Sequence, residues 1–403
     1  GRTPTMLPLA GSPAIDAGDN AVIPAGVTTD QRGSFLPFNG TVDIGAVERG
    51  YVVTNTNGSG AGSLRQAVNN TGTGGMVINF DPALSGETIN LSSGITIDRD
   101  LEINAGGLAN GVTVNGGSQN FRLFQVGAVR TVAMHNLKLI NGGGTAFNGF
   151  GGAILNDGNL TLTRCALSGN QVMAGNSGGA ISSGTGSTLS LTDCALSGNE
   201  ADFGGAIETV SAATLNRCTL NGNTARAGNG GAIDGGTSAN IALTQCTVAS
   251  NTATALGGGV AVFDGSLSLI HCTLGLNSAA NGGGASVKGS FSVANTIFAG
   301  NAATIAGPEL FENGAFTSLN FTGRIFLQQL GGNGFFASGN VLTGIPELSL
   351  PGNYGGATQT IVPLPGSPVL DQAGSTANVG AALNVAFTTD QRGFARAADG
   401  DGN

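Results

Sequence analysis

Gly supplies 71 of the 403 residues, and charged side chains make up 10%, against roughly 7% and 25% in ordinary globular domains. A 40% hydrophobic fraction, five Cys and a net charge of −9 exclude a charged disordered tail, a coiled coil and a disulfide-dense mini-protein. They also argue against a nucleic-acid partner, which selects basic faces, and no apolar run reaches the ~18 residues of a membrane helix.

In chain order, residues 1–50 read as a β-rich tail module belonging to a preceding unit. The opening GRTPTMLPLAG lacks the basic start and apolar stretch of a secretion signal, so an export address is expected outside these residues. Residues 51–75 read as a first strand, Tyr51 to Asn57, and a short helix, Ser63 to Asn69. Ser63 is its N-cap, and Leu64, Ala67 and Val68 form the apolar face that closes the end of the fold. Residues 76–350 read as stacked coils, and 351–403 as a truncated second copy of the tail module.

The coils announce themselves by repetition, the first thing to look for in a Gly-rich chain. LTLTRCALSGN recurs as LSLTDCALSGN, TLNRCTLNGN, IALTQCTVASN and LSLIHCTLGLN; a sixth copy, FSVANTIFAGN, has Thr296 in the Cys place. Gly-Gly-Ala-Ile interleaves with it, starting at Gly151, Gly178, Gly204 and Gly230, with weaker copies at Gly257 and Gly283. Apolar residues alternate within each copy, the period of a strand. Several short strands per ~26 residues with no helical pattern between them predict a right-handed parallel β-helix, an all-β solenoid. Leu137, Cys165, Cys194, Cys218, Cys246, Cys272 and Thr296 are then expected to stack inward, ~4.8 Å apart. Parallel thiols suit a disulfide torsion poorly, so free buried thiols are expected. Asn170, Asn199, Asn223, Asn251, Asn277 and Asn301 are expected to form an amide ladder at a corner.

The Gly-Gly-Ala-Ile motifs followed by Leu-x-x-Asn resemble the repeats of polymorphic outer membrane proteins, where the second motif is Phe-x-x-Asn; Phe298 to Asn301 matches that form fully. The chain is more similar to the bacterial choice-of-anchor Q family of extracellular right-handed β-helix proteins. GSLRQAV (Gly62 to Val68) looks like that family's N-terminal cap signature, and SPAID, TTDQRG and VDIGAVE (within Ser12 to Glu48) like its C-terminal one. The resemblance implies a bacterial protein exposed outside the cell or on its surface, and says little about activity.

The C-terminal signature occurs twice: Pro8 to Asp16 recurs at Pro363 to Asp371, and Thr28 to Gly33 at Thr388 to Gly393. This order fits a window on a tandem array, or a protomer completed by its neighbour. Units are therefore expected to associate head-to-tail, with Thr41 to Glu48 added as a strand to the second copy of the next unit.

Candidate chemistry is sparse. Arg164, Asp193, Arg217, Gln245, His271 and Asn295 precede the Cys column and are expected to form a solvated strip. Asp98, Asp100 and Glu102 alternate and are expected to share one strand face, with Arg99 opposite. His135 and His271 are expected to be exposed and far apart. Asp30/Arg32 and Asp390/Arg392 read as ion pairs inside each module. Asp399, Asp401 and Asn403 have the alternating oxygens of a calcium loop and are the candidate metal ligands; no other cofactor is expected. The column Thr161, Ser190, Thr214, Ala242, Ser268, Ser292 offers a flat hydroxylated face. Together these predict a non-enzymatic structural or adhesive module, one unit of a rod or filament, with a glycan or cell-surface target. The alternative is a carbohydrate-active β-helix, a polysaccharide lyase or glycan-binding module, which needs clustered carboxylates or aromatics.

Overall fold

The computed structural model describes residues 6, 8, 12–27, 30–31, 41–47, 50–70, 76–329, 341–370 and 389–395. It is a parallel β-solenoid of about ten turns. The stack begins at β1 (Tyr51–Val53), which pairs in parallel with β2 (Met76–Phe80), and ends at β3 (Val341–Thr343), which pairs with Leu310–Leu327. In between, successive coils lay strand on strand, in register through the middle of the stack (Leu160 on Leu189, Leu189 on Ala213, Ala213 on Ile241) and with register shifts from Val262 onward. The core is one continuous apolar column from Val53 to Leu327.

The expected inward columns are present. Cys165, Cys194, Cys218, Cys246 and Cys272 are buried and free. The backbone N–H of Cys165 donates to Cys194 Sγ at 3.4 Å, and Cys218 repeats this with Cys246. Burial pushes the thiols of Cys165, Cys194 and Cys246 up, away from the reactive thiolate. In the ladder, Asn199 Oδ1 accepts from both the N–H and Nδ2 of Asn170, at 3.1 and 2.9 Å, and the pattern repeats to Asn301. Each Nδ2 also reaches a backbone carbonyl of the coil before, as Asn223 does to Leu196.

The paired glycines have two different reasons. The first, such as Gly178 or Gly204, sits at φ near +70° or +60°, where a side chain is strained. The second faces the neighbouring coil: a Cβ on Gly179 would lie 2.2 Å from the carbonyl oxygen of Gly205. The left-handed column continues through Gly257 to Gly282 and Gly307. The weak sixth motif therefore starts at Gly282, one residue before its sequence-based start.

Helix α1 (Leu64–Asn70) closes the first coils, with Leu64, Ala67 and Val68 buried. Ser63 Oγ accepts from Gln66 N–H at 3.2 Å, and the Gln66 side chain reaches back to Gly62 N–H at 2.7 Å, close to a capping box. Arg65 fixes the cap by donating to the carbonyls of Gly58, Ser93 and Gly94.

Three expectations need correction. The residues before the Cys column are not simply outward positions on a strand. Arg164, Asp193, Arg217, Gln245, His271 and Asn295 all have φ between +44° and +55°. They are left-handed corners, and the corner explains how Leu162 and Cys165, an odd number apart, both face inward. Asp98 to Asp100 form a bend between two short strands, so they share no strand face with Glu102. Arg99 turns back to Asp98 at 2.9 Å instead of pointing away. Finally, Glu347 and Ser349 pair with the backbone of Leu364 and Val362, so the tail begins before Leu350.

Candidate functional site

The described part of the second tail module does not extend the solenoid's axis. It folds back against the flank formed by the short strands after the Cys column. An antiparallel hairpin lies there, with Gly352 and Thr360 exchanging both backbone hydrogen bonds at 3.0 and 2.9 Å. Thr358 Oγ1 donates to the carbonyl of Arg217 at 3.1 Å, and Thr219 Oγ1 donates to the carbonyl of Gln359.

The TTDQRG turn then locks the hairpin to the coils. Asp390 holds the turn by accepting from the N–H and Nε of Arg392, at 2.8 and 2.7 Å. Arg392 lies over the Phe394 ring at 4.8 Å. This aims Gln391 at the flank. Its Nε2 lies 3.2 Å from the Cys218 carbonyl and 3.0 Å from both Thr219 Oγ1 and Thr358 Oγ1. Its Oε1 accepts from Thr247 Oγ1 at 2.7 Å and Thr360 Oγ1 at 3.2 Å. One carboxamide thus joins two successive coils to the returning strand of the hairpin. Gln245 Nε2 adds a bond to the carbonyl of Thr389.

Beside this dock lies a cavity of about 240 Å³ between the flank and the module. Ile325, Phe326, Leu342, Ile361 and Val369 give it apolar walls; His271, Arg324, Gln391 and Arg392 give it polar ones.

The first module shares one Ser-anchored turn with the second. Ser12 Oγ accepts from Ala14 N–H at 3.3 Å and its carbonyl from Ile15 N–H at 3.2 Å. Their counterparts, Ser367 with Val369 and Leu370, do the same at 3.4 and 3.2 Å. In the first module the segment 41–47 is held internally. Ala14 O accepts from Ile44 N–H at 2.8 Å, and Gln31 N–H donates to Ala46 O at 3.0 Å. Asp43 Oδ1 accepts from Asp16 N–H at 2.7 Å. Asp390 and Arg392 form the ion pair expected of the motif, at 2.6 Å; Arg32 lies outside the described residues.

The remaining candidates are separated. Arg217 grips Asp193 through two bonds, 2.7 and 2.9 Å, while Arg164 stays exposed. Gln245 is buried under the tail, so the strip is not solvated along its length. Neither histidine is exposed. His135 is half-buried, 3.6 Å from Glu102; burial pushes its imidazole down, partly opposed by Glu102. His271 lines the cavity. Asp399, Asp401 and Asn403 lie outside the described residues. Among the described residues no group of three His, Cys, Asp or Glu could hold a metal ion.

Two carboxyl features were missed from sequence. Glu208 and Asp234 are register neighbours on adjacent coils. Glu208 accepts from Ser182 Oγ at 2.7 Å. Burial, then the Glu208 charge, raises Asp234 to about 7, but at 8% exposure it is closed to substrate. Glu309 fills the small-residue column of Gly259 and Gly284 and ends the amide ladder. Its Oε2 accepts from Asn301 Nδ2 at 2.6 Å, and burial raises it to about 7.

No family model matches this chain, and no curated protein or solved structure matches it either.

Proposed function

We propose that this chain is a non-enzymatic structural or adhesive solenoid module that works outside the cell or on its surface, as one unit of a head-to-tail rod. The docked tail carries this reading. A lateral face of the coils, where a parallel β-helix can carry a binding groove, is spent on holding the chain's own module through Gln391. Several carboxylates on the coils are likewise held in ion pairs: Asp193 with Arg217, Glu200 and Asp202 with Arg226, Asp264 with Lys288. The open face left to a target is the hydroxylated column, with Thr161 on Ser190, Thr214, Ala242, Ser268 and Ser292 in unbroken register. Short hydroxyls on a flat sheet suit the surface of a glycan or a cell-wall polymer.

Electron microscopy of concentrated protein tests the reading. Rods with one axial repeat per solenoid support it. Isolated particles, together with cleavage of acidic or neutral polysaccharides by the purified chain, would establish the carbohydrate-active alternative.

A further inference from the structure

We infer that the cavity between the flank and the second module is a receptor groove for the segment Thr41 to Val47 of a second copy of this chain. The inference deepens the rod reading and rests on it, because it names the contact between units.

The first module shows how such a groove is filled. There Ile44 N–H donates to Ala14 O, and Ala46 O accepts from Gln31 N–H. The sequence counterparts of Ala14 and Gln31 are Val369 and Gln391. Both line the cavity, and Val369 stands in the same Ser-anchored turn as Ala14. A Val-Asp-Ile-Gly-Ala-Val segment laid between Val369 and Gln391 would repeat the pairing seen in the first module.

The apolar walls give the exchange a direction. In its own module Ile44 is 59% exposed. In the cavity it would meet Phe326, Leu342 and Ile361, which the solenoid and the hairpin supply. Trading Ala14 for the larger Val369 adds apolar contact as well.

The segment must come from another copy. Gly50 is wedged against the Val77 carbonyl, and Tyr51 is already paired with Ile78 on the next coil. From Tyr51 the register climbs through Ile78, Ile103, Met134, Leu162, Leu191 and Leu215 to Leu243, at the level of the cavity. Seven steps of ~4.8 Å make roughly 34 Å. The few residues between Val47 and Tyr51 span at most ~14 Å. The donor end of one chain and the receptor groove of the same chain therefore lie at different levels of the rod, so the contact is heterologous and propagates instead of closing on itself.

Sedimentation of the full chain up to ~100 µM, with and without the octapeptide Thr-Val-Asp-Ile-Gly-Ala-Val-Glu, tests this. Oligomers that grow with concentration are expected. Ile44→Asp, at an exposed position, should leave circular dichroism and melting unchanged and weaken association by at least ~10-fold. The free peptide should dissolve the oligomers, and a scrambled peptide should not. A chain that stays monomeric overturns the inference, even if the peptide binds, since the groove then has no second copy to receive. Oligomers indifferent to both the peptide and Ile44→Asp also overturn it, while leaving the rod reading intact.

Discussion

The two tail modules fold the same turn and rest on different things. Ser12 and Ser367 anchor their turns with the same two bonds, within 0.1 Å of each other. Yet Gln31 is exposed, while Gln391 is 9% exposed and bonded to two coils. The turn is thus a property of the local sequence. The docking is a property of the platform, which must present Cys218 O, Thr219 and Thr247 at the spacing of stacked strands.

The comparison is broken most severely by disturbing the platform itself. Asn223 shares a coil with Thr219, and its Oδ1 serves two donors of Asn199 while its Nδ2 serves Leu196 O and Asn251. Asn223→Leu strands these groups at about 1–3 kcal/mol each. It is expected to cost more than ~3 kcal/mol in all and to loosen the hairpin with the coil. Thr214→Ala, exposed on the same coil, should stay within ~0.5 kcal/mol. Coil-resolved hydrogen exchange checks this; equal loss of protection in the two variants would refute the ladder's role.

Next comes the lock alone. Gln391→Leu leaves the hydroxyls of Thr219, Thr247 and Thr358 and the Cys218 carbonyl without their shared partner. A loss of about 2–3 kcal/mol in docking is expected, some of the hydroxyls recovering water. Protection should fall at 352–361 and remain at the Asn ladder. Gln31→Leu should change neither region by more than ~0.5 kcal/mol. If both variants behave alike, the motif's role is confined to its own turn.

These contrasts also mark what was legible in the sequence. The Cys column, the Asn ladder and the glycine pairs recur once per coil, so a single period exposes them all. The cap helix was legible because Ser63 stands at its N-cap and Leu64, Ala67 and Val68 share one apolar face. The left-handed corners were hidden, because the column mixes Arg and Gln, which are unusual at positive φ, with Asp, His and Asn. Only the odd spacing from Leu162 to Cys165 pointed to them. The dock was hidden more deeply: Gln391 and Cys218 are 173 residues apart, and no period relates a module to the coil it rests on. Glu309 stood in plain view, but its meaning depends on knowing that its column is inward.

The smallest effect separates solenoid from tail by pH. Glu309 sits at about 7 in the folded protein, above its ordinary 4.5, because it is buried at the ladder's end. The folded state therefore binds this proton more tightly than the unfolded chain does. The stability this provides is complete below pH ~4.5 and is lost as pH rises through 7. The shift itself corresponds to roughly 3 kcal/mol; relaxation of the surroundings around the buried charge reduces that to about 1–2 kcal/mol. Asp234 is raised in the same direction, so the wild-type slope contains both groups, and Glu309's share is the difference between wild type and Glu309→Gln. The variant keeps an acceptor for Asn301 and should flatten the fall in stability between pH 5 and 8. Exchange at the Asn277 and Asn301 coils should register this, because the ladder bonds of Asn277 end on Asn301 and those of Asn301 on Glu309. The dock should not follow, since the groups that Gln391 grips are hydroxyls and carbonyls with no charge to change. A hairpin that loosens in step with the ladder as pH rises would mean that the platform and the ladder's end are one cooperative unit. In that case the docked copy owes its order to Glu309 as much as to Gln391.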